Sequence, residues 1–448
     1  MSHAPPRSSA AQGAGGRGEV GTPLVTSTTG AKGGGKGAEL RLSASLVLLS
    51  PLKKRTSDGY DYKVLLLRRR KDGGTYEGAQ VFPGGNLDPS DSLPSLLRYL
   101  PSLPPSPYPS SRSPTLLHSL ALCALRETFE EAGLLLLSGS NSEAAREARE
   151  RWAGMGREQR AVWRERVHRR AGEMEGLMSV LGGGEGVLAG EGLREWGRWI
   201  TPVGLPRRFD TTFFLSFLPS SSSSSSSSAP PAHTVTADGS ETVQARWFTP
   251  GEAVRRGVAY TRSLSRPASE GADKDRDSDE SFILHPPQFN LLAELALHKS
   301  YSSLLLPPSG SSPEDLVPRA RPVPAYLPRL VRFRDLAGQE RRATVLPGDE
   351  AYGAEPAVEG EKSWEGAHIG NAREGEKAPG QGEGKRRWNR TYVMPLLKGK
   401  SGLTVEGVHR EGMLDILGEG WEDMRAGDVG EDGEGEGSDV RKGTGAKL

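Results

Sequence analysis

The stretch CALRETFEEAGLLLL, residues 123–137, decides much of the fold, because it combines the apolar face of a helix with a helix stop. Leu122, Leu125 and Phe129 recur three or four residues apart, which is the spacing of a helix face that packs into a core. Gly133 is typical of the residue just past a helix end. The four leucines that follow predict a buried strand. We therefore expect a buried helix that begins near residue 116 and ends at Gly133.

Three glutamates form a second face of this helix. Glu127, Glu130 and Glu131 lie within an arc of about 100°. Like charges at this spacing destabilise a helix, and no helix N-terminus is close enough to stabilise them. Two interpretations follow from the residues alone: the face is solvated, or it holds a cation such as Mg²⁺, which prefers oxygen ligands. Arg126, beside the cluster, would brace a carboxylate or contact a phosphate.

Gly84 and Gly85, in the segment VFPGG at 81–85, form a second candidate element. Paired glycines allow backbone N–H groups to approach an anionic ligand closely. A plain turn is the more common use of such a pair. The segment is therefore informative only in combination with the acidic helix that follows it.

The composition of the 448-residue chain limits how much of it folds. It contains 58 glycines and 33 prolines, and only 35% of its residues are hydrophobic. A net charge of +1 gives no general attraction to nucleic acid, and no segment is apolar for the length of a membrane span. Cys123 is the single cysteine, which excludes an intramolecular disulfide, and its apolar neighbours predict a buried structural role.

The segment pattern predicts one α/β domain with long insertions in its loops. Within the insertion at 142–192, residues 142–181 are predicted to be helical, with breaks at Gly154, Gly156 and Gly172. Segments of strand character occur at 38–50, 61–71, 196–202, 207–219 and 241–249. The predicted division is a disordered segment (1–38), the folded domain (39–352) with insertions at about 92–115, 142–192, 219–235 and 264–280, a low-complexity linker (353–390), an ordered tail (391–425) and a flexible C-terminus (426–448).

The chain finishes with Ala446, Lys447 and Leu448, a near variant of the Ser-Lys-Leu peroxisomal address. A charged, Gly-rich stretch precedes this tripeptide, so an import receptor could reach it. We therefore expect a peroxisomal location, with the peroxisomal import receptor as a partner.

Residues 126–134, Arg-Glu-Thr-Phe-Glu-Glu-Ala-Gly-Leu, resemble the second half of the signature of the Nudix hydrolases. That signature is Gly, five residues, Glu, seven residues, then Arg-Glu-apolar-any-Glu-Glu-any-Gly-apolar. Thr128 stands at a nominally apolar position, and residues 86–125 form a much longer segment than the signature has. The first glutamate of the signature has no counterpart here. Asp88 and Asp91 are the nearby carboxylates that could replace it.

A subgroup similar to the peroxisomal coenzyme A diphosphatases of mammals carries a long insertion at this point, and the resemblance covers roughly residues 40–352. It implies the Nudix fold, an α/β/α sandwich around a mixed sheet. It also implies metal-dependent hydrolysis of coenzyme A or acyl-coenzyme A to 3′,5′-ADP and (acyl-)phosphopantetheine. Two alternatives stay open: hydrolysis of another dinucleotide, such as NADH or a nucleotide sugar, or a catalytically silent nucleotide-binding module.

The resemblance assigns roles to individual residues. Glu127, Glu130 and Glu131 would hold Mg²⁺ or Mn²⁺, and one carboxylate would also assist proton removal from the attacking water. Arg126 would orient a glutamate. The predicted catalytic and substrate-binding set is Arg126, Glu127, Glu130 and Glu131 with the backbone of Gly84 and Gly85.

Four further residues are candidates: Arg207, Arg208 and Asp210 lie at the start of a predicted strand, and His285 precedes a predicted helix. Arg207 and Arg208 are hypothesised to contact the 3′-phosphate of the coenzyme, the alternative being two surface arginines. Asp210 is expected to pair with one of them. His285 is interpreted as a packed loop histidine rather than a catalytic group.

Overall fold

The central strand of the larger sheet, β1 (Leu40–Pro51), is an apolar run whose residues 43–49 are buried. It pairs in parallel with β6 (Arg208–Phe217) along one edge. Its other edge pairs antiparallel with β2 (Tyr62–Arg69) near the end of β1 and with β4 (Gly84–Asn86) near its beginning. The combination of parallel and antiparallel pairs confirms the mixed sheet that was predicted.

This computed structural model describes residues 39–71, 77–104, 110, 112–202, 207–218, 235–265, 281–304, 323, 325–334, 340–346, 389–395, 403–410 and 414–416. The remaining strands are β3 (Gln80–Val81), β5 (Arg194–Ile200), β7 (Thr242–Phe248), β8 (Ala325–Tyr326), β9 (Arg329–Arg334), β10 (Glu340–Val345), β11 (Asn389–Pro395), β12 (Leu403–Arg410) and β13 (Leu414–Ile416). The helices are α1 (Pro94–Leu97), α2 (Pro114–Ala132), α3 (Glu143–Gly154), α4 (Arg157–Arg169), α5 (Glu173–Val180), α6 (Pro250–Ser265) and α7 (Pro286–Ala296).

Helices cover both faces of the larger sheet. Because side chains alternate along a strand, Leu46 and Leu48 of β1 pack in the same apolar cluster as α2, whereas Val47 and Leu49 pack with α7. Within the described residues this sheet has the strand order β3-β2-β1-β6-β5-β8, with β4 on β1 and β7 on β2. The predicted α/β/α sandwich is confirmed.

Helix α2 forms where the sequence predicted it. Ser113 caps its first turn by accepting a hydrogen bond from the N–H of Leu116. Gly133 ends it in the left-handed conformation at φ 70°, which favours glycine. Cys123 is buried, as predicted. Leu122, Leu125 and Phe129 are also buried, so the apolar face anchors the helix to β1.

One local prediction is wrong. The leucines of 134–137 contribute only an isolated bridge, from Leu137 to Leu188, because the run pairs briefly with 187–189 away from the main sheet. Its apolar character therefore reflects burial, not strand pairing. The segment at 92–115 contains α1 and follows a short 3-10 helix at Pro89–Ser92.

The helical character of the insertion at 142–192 is confirmed. Helices α3, α4 and α5 occupy it, and the breaks between them fall at 155–156 and 170–172, next to the predicted glycines. The limits proposed for the domain, the linker and the tail stay predictions, although β11, β12 and β13 lie within or beside the proposed tail. Residues 1–38 and 417–448, including the C-terminal tripeptide, lie outside the described residues.

A second sheet has the order β13-β12-β11-β10-β9 in the part of the chain that the structure covers. Helices α6 and α7 lie against β12 of this sheet. No described helix is long and apolar enough to cross a membrane.

We expect Gly84→Ala to destabilise the fold by about 1–3 kcal/mol, because a Cβ there has no room. It would lie 2.4 Å from the carbonyl oxygen of Ala44 and 2.6 Å from Cα of Ser45. Urea unfolding measures the change. The matched control is Gly154→Ala, since nothing lies within 4 Å of a Cβ at that position. Equal unfolding midpoints for the two variants would contradict the close packing of β4 on β1.

Candidate active site

A cleft of about 670 Å³ opens beside the acidic face of α2. Four parts of the chain surround it: the end of β4 with the segment that follows, the second half of α2, the end of α4 with the turn to α5, and Glu241 just before β7. Its lining residues include Asn86, Asp88, Arg126, Glu127, Glu130, Glu131, His168, Arg169, Arg170, Glu173 and Glu241. The predicted acidic face is therefore a wall of a cavity rather than an open solvated surface.

Arg126 holds the acidic cluster together. Its Nη1 lies 2.6 Å from Oε1 of Glu130 and 3.0 Å from Oε1 of Glu127. On its other side, Nε and Nη2 donate to the two carboxylate oxygens of Asp91 at 2.8 and 2.9 Å. The guanidinium is 5% exposed and the Asp91 side chain is fully buried. This bidentate contact fixes the orientation of Arg126, and Arg126 in turn orients Glu127 and Glu130.

The acid missing from the family signature is explained by this contact. Counted from Gly85, Asp91 stands at the place of the first glutamate of the signature, but 34 residues instead of seven separate it from Arg126, whose carboxylate partner it is. Its Oδ2 also accepts a hydrogen bond from the N–H of Asp88, whose own side chain caps the 3-10 helix. Of the two candidates that the sequence left open, Asp91 is the one that supports the acidic cluster.

The two glycines of the VFPGG segment lie against Glu131 and Glu127. The N–H of Gly84 donates to Oε2 of Glu131 at 2.9 Å. A Cβ on Gly85 would lie 2.4 Å from the carboxylate carbon of Glu127, so only glycine leaves space for that group. The glycines thus contact the carboxylates of α2 directly, in addition to their predicted place beside a substrate.

Helix α4 of the insertion also holds the cluster, which the sequence analysis missed. Nε of Arg164 donates to the carbonyl oxygen of Glu130 at 2.6 Å, and Nδ1 of His168 lies 3.3 Å from its Oε2. The sequence predicted helices in this insertion but no contact between them and the acidic cluster. His168 and Arg164 lie one helical turn apart on the same face, which was the available signal.

The electrostatics of the three glutamates favour a cation. Burial raises the pKa of Glu127 to about 7, against the opposing effect of Arg126. Burial also raises the pKa of Glu130, and it raises the pKa of Glu131 well above its usual range, with the charge of Glu127 adding to the effect. Burial makes the charged form of these carboxylates unfavourable. A bound metal ion would stabilise the charged form.

The donor set fits a hard divalent cation, since three carboxylates face one cleft and Gly85 leaves space beside Glu127. Among the described residues no cluster of His, Cys, Asp or Glu already has the spacing of a metal centre. Arg126 takes one oxygen each of Glu127 and Glu130, and Gly84 takes one of Glu131.

Arg207 and Arg208 do not line the cleft. The guanidinium of Arg208 is buried and donates to the carbonyl oxygens of Thr201 and Pro202, so it holds the start of β6. Arg207 is exposed beside it. Their predicted contact with substrate stays a prediction that this arrangement does not favour.

Asp210 has different partners from those predicted. Its carboxylate pairs with Arg112 at 2.6 Å and with Arg198 at 2.7 Å, instead of with the arginines that begin β6. Arg208 lies two residues before Asp210, on the same side of β6. Its guanidinium turns to the carbonyl oxygens of Thr201 and Pro202, so Arg198 of the adjacent strand β5 and Arg112, just before α2, pair with Asp210 instead. His285 is buried at the start of α7, as predicted.

The chain is similar to known proteins over most of its length. A model of the NUDT19 Nudix domain matches residues 111–262. The chain is 30% identical to the acyl-coenzyme A diphosphatase NUDT19 of Gallus gallus over 358 residues, which cover 72% of this chain and 82% of that protein. The Homo sapiens protein of the same name is 28% identical over 358 residues, covering 70% of this chain and 80% of its own length.

Among solved structures, a NUDIX hydrolase from Alicyclobacillus acidocaldarius is 23% identical, with a TM-score of 0.41. The match covers 59% of this chain and 95% of that protein. The extent and identity of the match to the Gallus gallus protein establish the relationship. The chain belongs to the Nudix hydrolases, in the family of the acyl-coenzyme A diphosphatase NUDT19.

Proposed function

We propose that the protein hydrolyses the diphosphate of coenzyme A or acyl-coenzyme A, giving 3′,5′-ADP and (acyl-)phosphopantetheine. Nudix hydrolases generally use divalent metals, and Mg²⁺ or Mn²⁺ fits the oxygen donors found here. The observation that carries the proposal is the convergence of Glu127, Glu130 and Glu131 on one cleft, around a buried Arg126. The names of the relatives indicate which diphosphate is cleaved.

The residues of the cleft have different roles in this reaction. Glu127, Glu130 and Glu131 would hold the metal, which neutralises the diphosphate and lowers the pKa of the attacking water. Arg126 keeps two of these carboxylates at the helix surface, and the N–H of Gly84 orients the third. Positions held by buried partners need little rearrangement when substrate binds, which is how a preorganised site lowers a barrier.

We predict that the protein with Mg²⁺ hydrolyses coenzyme A esters and that Glu131→Gln lowers kcat/KM on the order of 100-fold, because one metal ligand is lost. A panel of coenzyme A, acyl-coenzyme A, NADH and a nucleotide sugar, with separation of the products, provides the measurement. The control is Glu150→Gln, on the exposed face of α3, which should keep full activity.

The same panel distinguishes the alternatives. Faster turnover of NADH than of any coenzyme A ester would identify hydrolysis of another dinucleotide. Tight binding of coenzyme A without turnover would identify a binding module, and a fully active Glu131→Gln would remove Glu131 from the site.

Binding of Mg²⁺ should stabilise the folded protein, since it relieves the mutual repulsion of the buried carboxylates. At a hundredfold excess over its Kd we expect the melting temperature to rise by about 5–10 °C. In Glu131→Gln the rise should be much smaller, whereas Glu150→Gln should respond as the wild type does. Calorimetry with and without EDTA measures it. An identical rise in all three proteins would place the metal elsewhere.

We also propose a peroxisomal location through an import receptor, supported by Ala446, Lys447 and Leu448. Deletion of these three residues should move a protein tagged at its N-terminus from peroxisomes to the cytosol, as seen by fluorescence microscopy. A tripeptide changed to Ser-Lys-Leu should keep the peroxisomal pattern. Peroxisomal fluorescence that survives the deletion would contradict the proposal.

A further inference from the structure

The turn between α4 and α5 carries two arginines at the edge of the catalytic cleft. Arg169 ends α4, Arg170 follows it, and both line the cleft. Their side chains are 74% and 80% exposed, and each makes one ion pair, with Glu165 and Glu173 respectively. Exposed pairs of this kind contribute little to stability, so these guanidinium groups can exchange partners at low cost.

Helix α4 fixes these arginines relative to the metal-binding carboxylates. Arg164 donates to the carbonyl oxygen of Glu130, and His168 lies 3.3 Å from the carboxylate of the same residue. Val167, between them, is fully buried in the core that α2 also enters. The cationic turn is therefore attached to the C-terminal half of α2 by polar contacts and by apolar packing.

The charges of the cleft are divided between two regions. The wall formed by α2 is acidic, and its arginine, Arg126, is 5% exposed and engaged by carboxylates. Arg169 and Arg170 are the exposed guanidinium groups in the described lining of the cleft. A planar guanidinium matches the geometry of a phosphate group.

We propose that Arg169 and Arg170 bind the 3′-phosphate of coenzyme A. This inference rests on the proposed function. Coenzyme A carries a phosphate monoester of charge about −1.5 to −2 in addition to its diphosphate. The metal compensates the diphosphate at the acidic wall, whereas the monoester needs a separate cationic site. The insertion supplies such a site at the edge of the cleft, and Arg207 and Arg208 do not.

Dephospho-coenzyme A tests the proposal, because it lacks the 3′-phosphate and keeps the diphosphate and the pantetheine arm. The wild type should show a higher kcat/KM for coenzyme A than for dephospho-coenzyme A. In the double variant R169Q/R170Q that ratio should fall about tenfold or more, which corresponds to loss of one or more charge-assisted hydrogen bonds. R169K/R170K keeps the charges but lacks the planar guanidinium groups, so its ratio of kcat/KM values should be intermediate.

The matched control is Arg146→Gln, because Arg146 is also exposed and paired with a glutamate one helical turn away, but lies outside the lining of the cleft. It should leave the ratio unchanged, and all variants should melt at the wild-type temperature. A wild type that does not discriminate between the two substrates would overturn the inference. An equal loss on both substrates in R169Q/R170Q would overturn it too. Hydrolysis of NADH alone would instead refute the proposed function.

Discussion

The ion pair between Arg126 and Asp91 is the contact on which the candidate site depends. Both side chains are buried, so each would be strongly destabilising without the other, by about 3–5 kcal/mol. Asp91 is placed by a 3-10 helix, whereas Arg126 belongs to a long helix whose apolar face is anchored in the core. Because the guanidinium also contacts Glu127 and Glu130, its fixed position determines where these two carboxylates point.

The insertion contributes to the chemistry of the cleft as well as to its shape. An insertion that only extended a loop would leave the acidic face of α2 open to solvent. Here Arg164 and His168 of α4 contact Glu130, and the following turn closes one side of the cleft. The lining of the cleft thereby combines the carboxylates of α2 with the guanidinium groups of Arg169 and Arg170, an arrangement suited to a substrate with phosphate groups at two places.

Sequence reasoning located the elements of the site well and their contacts less well. The end of α2 followed from Gly133, its start was predicted two residues late, and its buried face followed from the spacing of Leu122, Leu125 and Phe129. Such local rules describe interactions within one turn or strand. Asp91 and Arg126 are 35 residues apart, so the periodicity of a single helix or strand cannot predict that they pair. The same limit explains the wrong partners predicted for Asp210.

By itself, the sequence determined the mixed α/β class, the position of the acidic helix and the identity of the three carboxylates, because these depend on local spacing and on a contiguous motif. Only the tertiary structure decided that Asp91 is the partner of Arg126 and that Gly85 makes space for Glu127. It also brought α4 onto Glu130 and turned Arg208 away from the cleft. These contacts join residues distant in the chain, and they depend on how strands and helices pack rather than on what any one segment prefers.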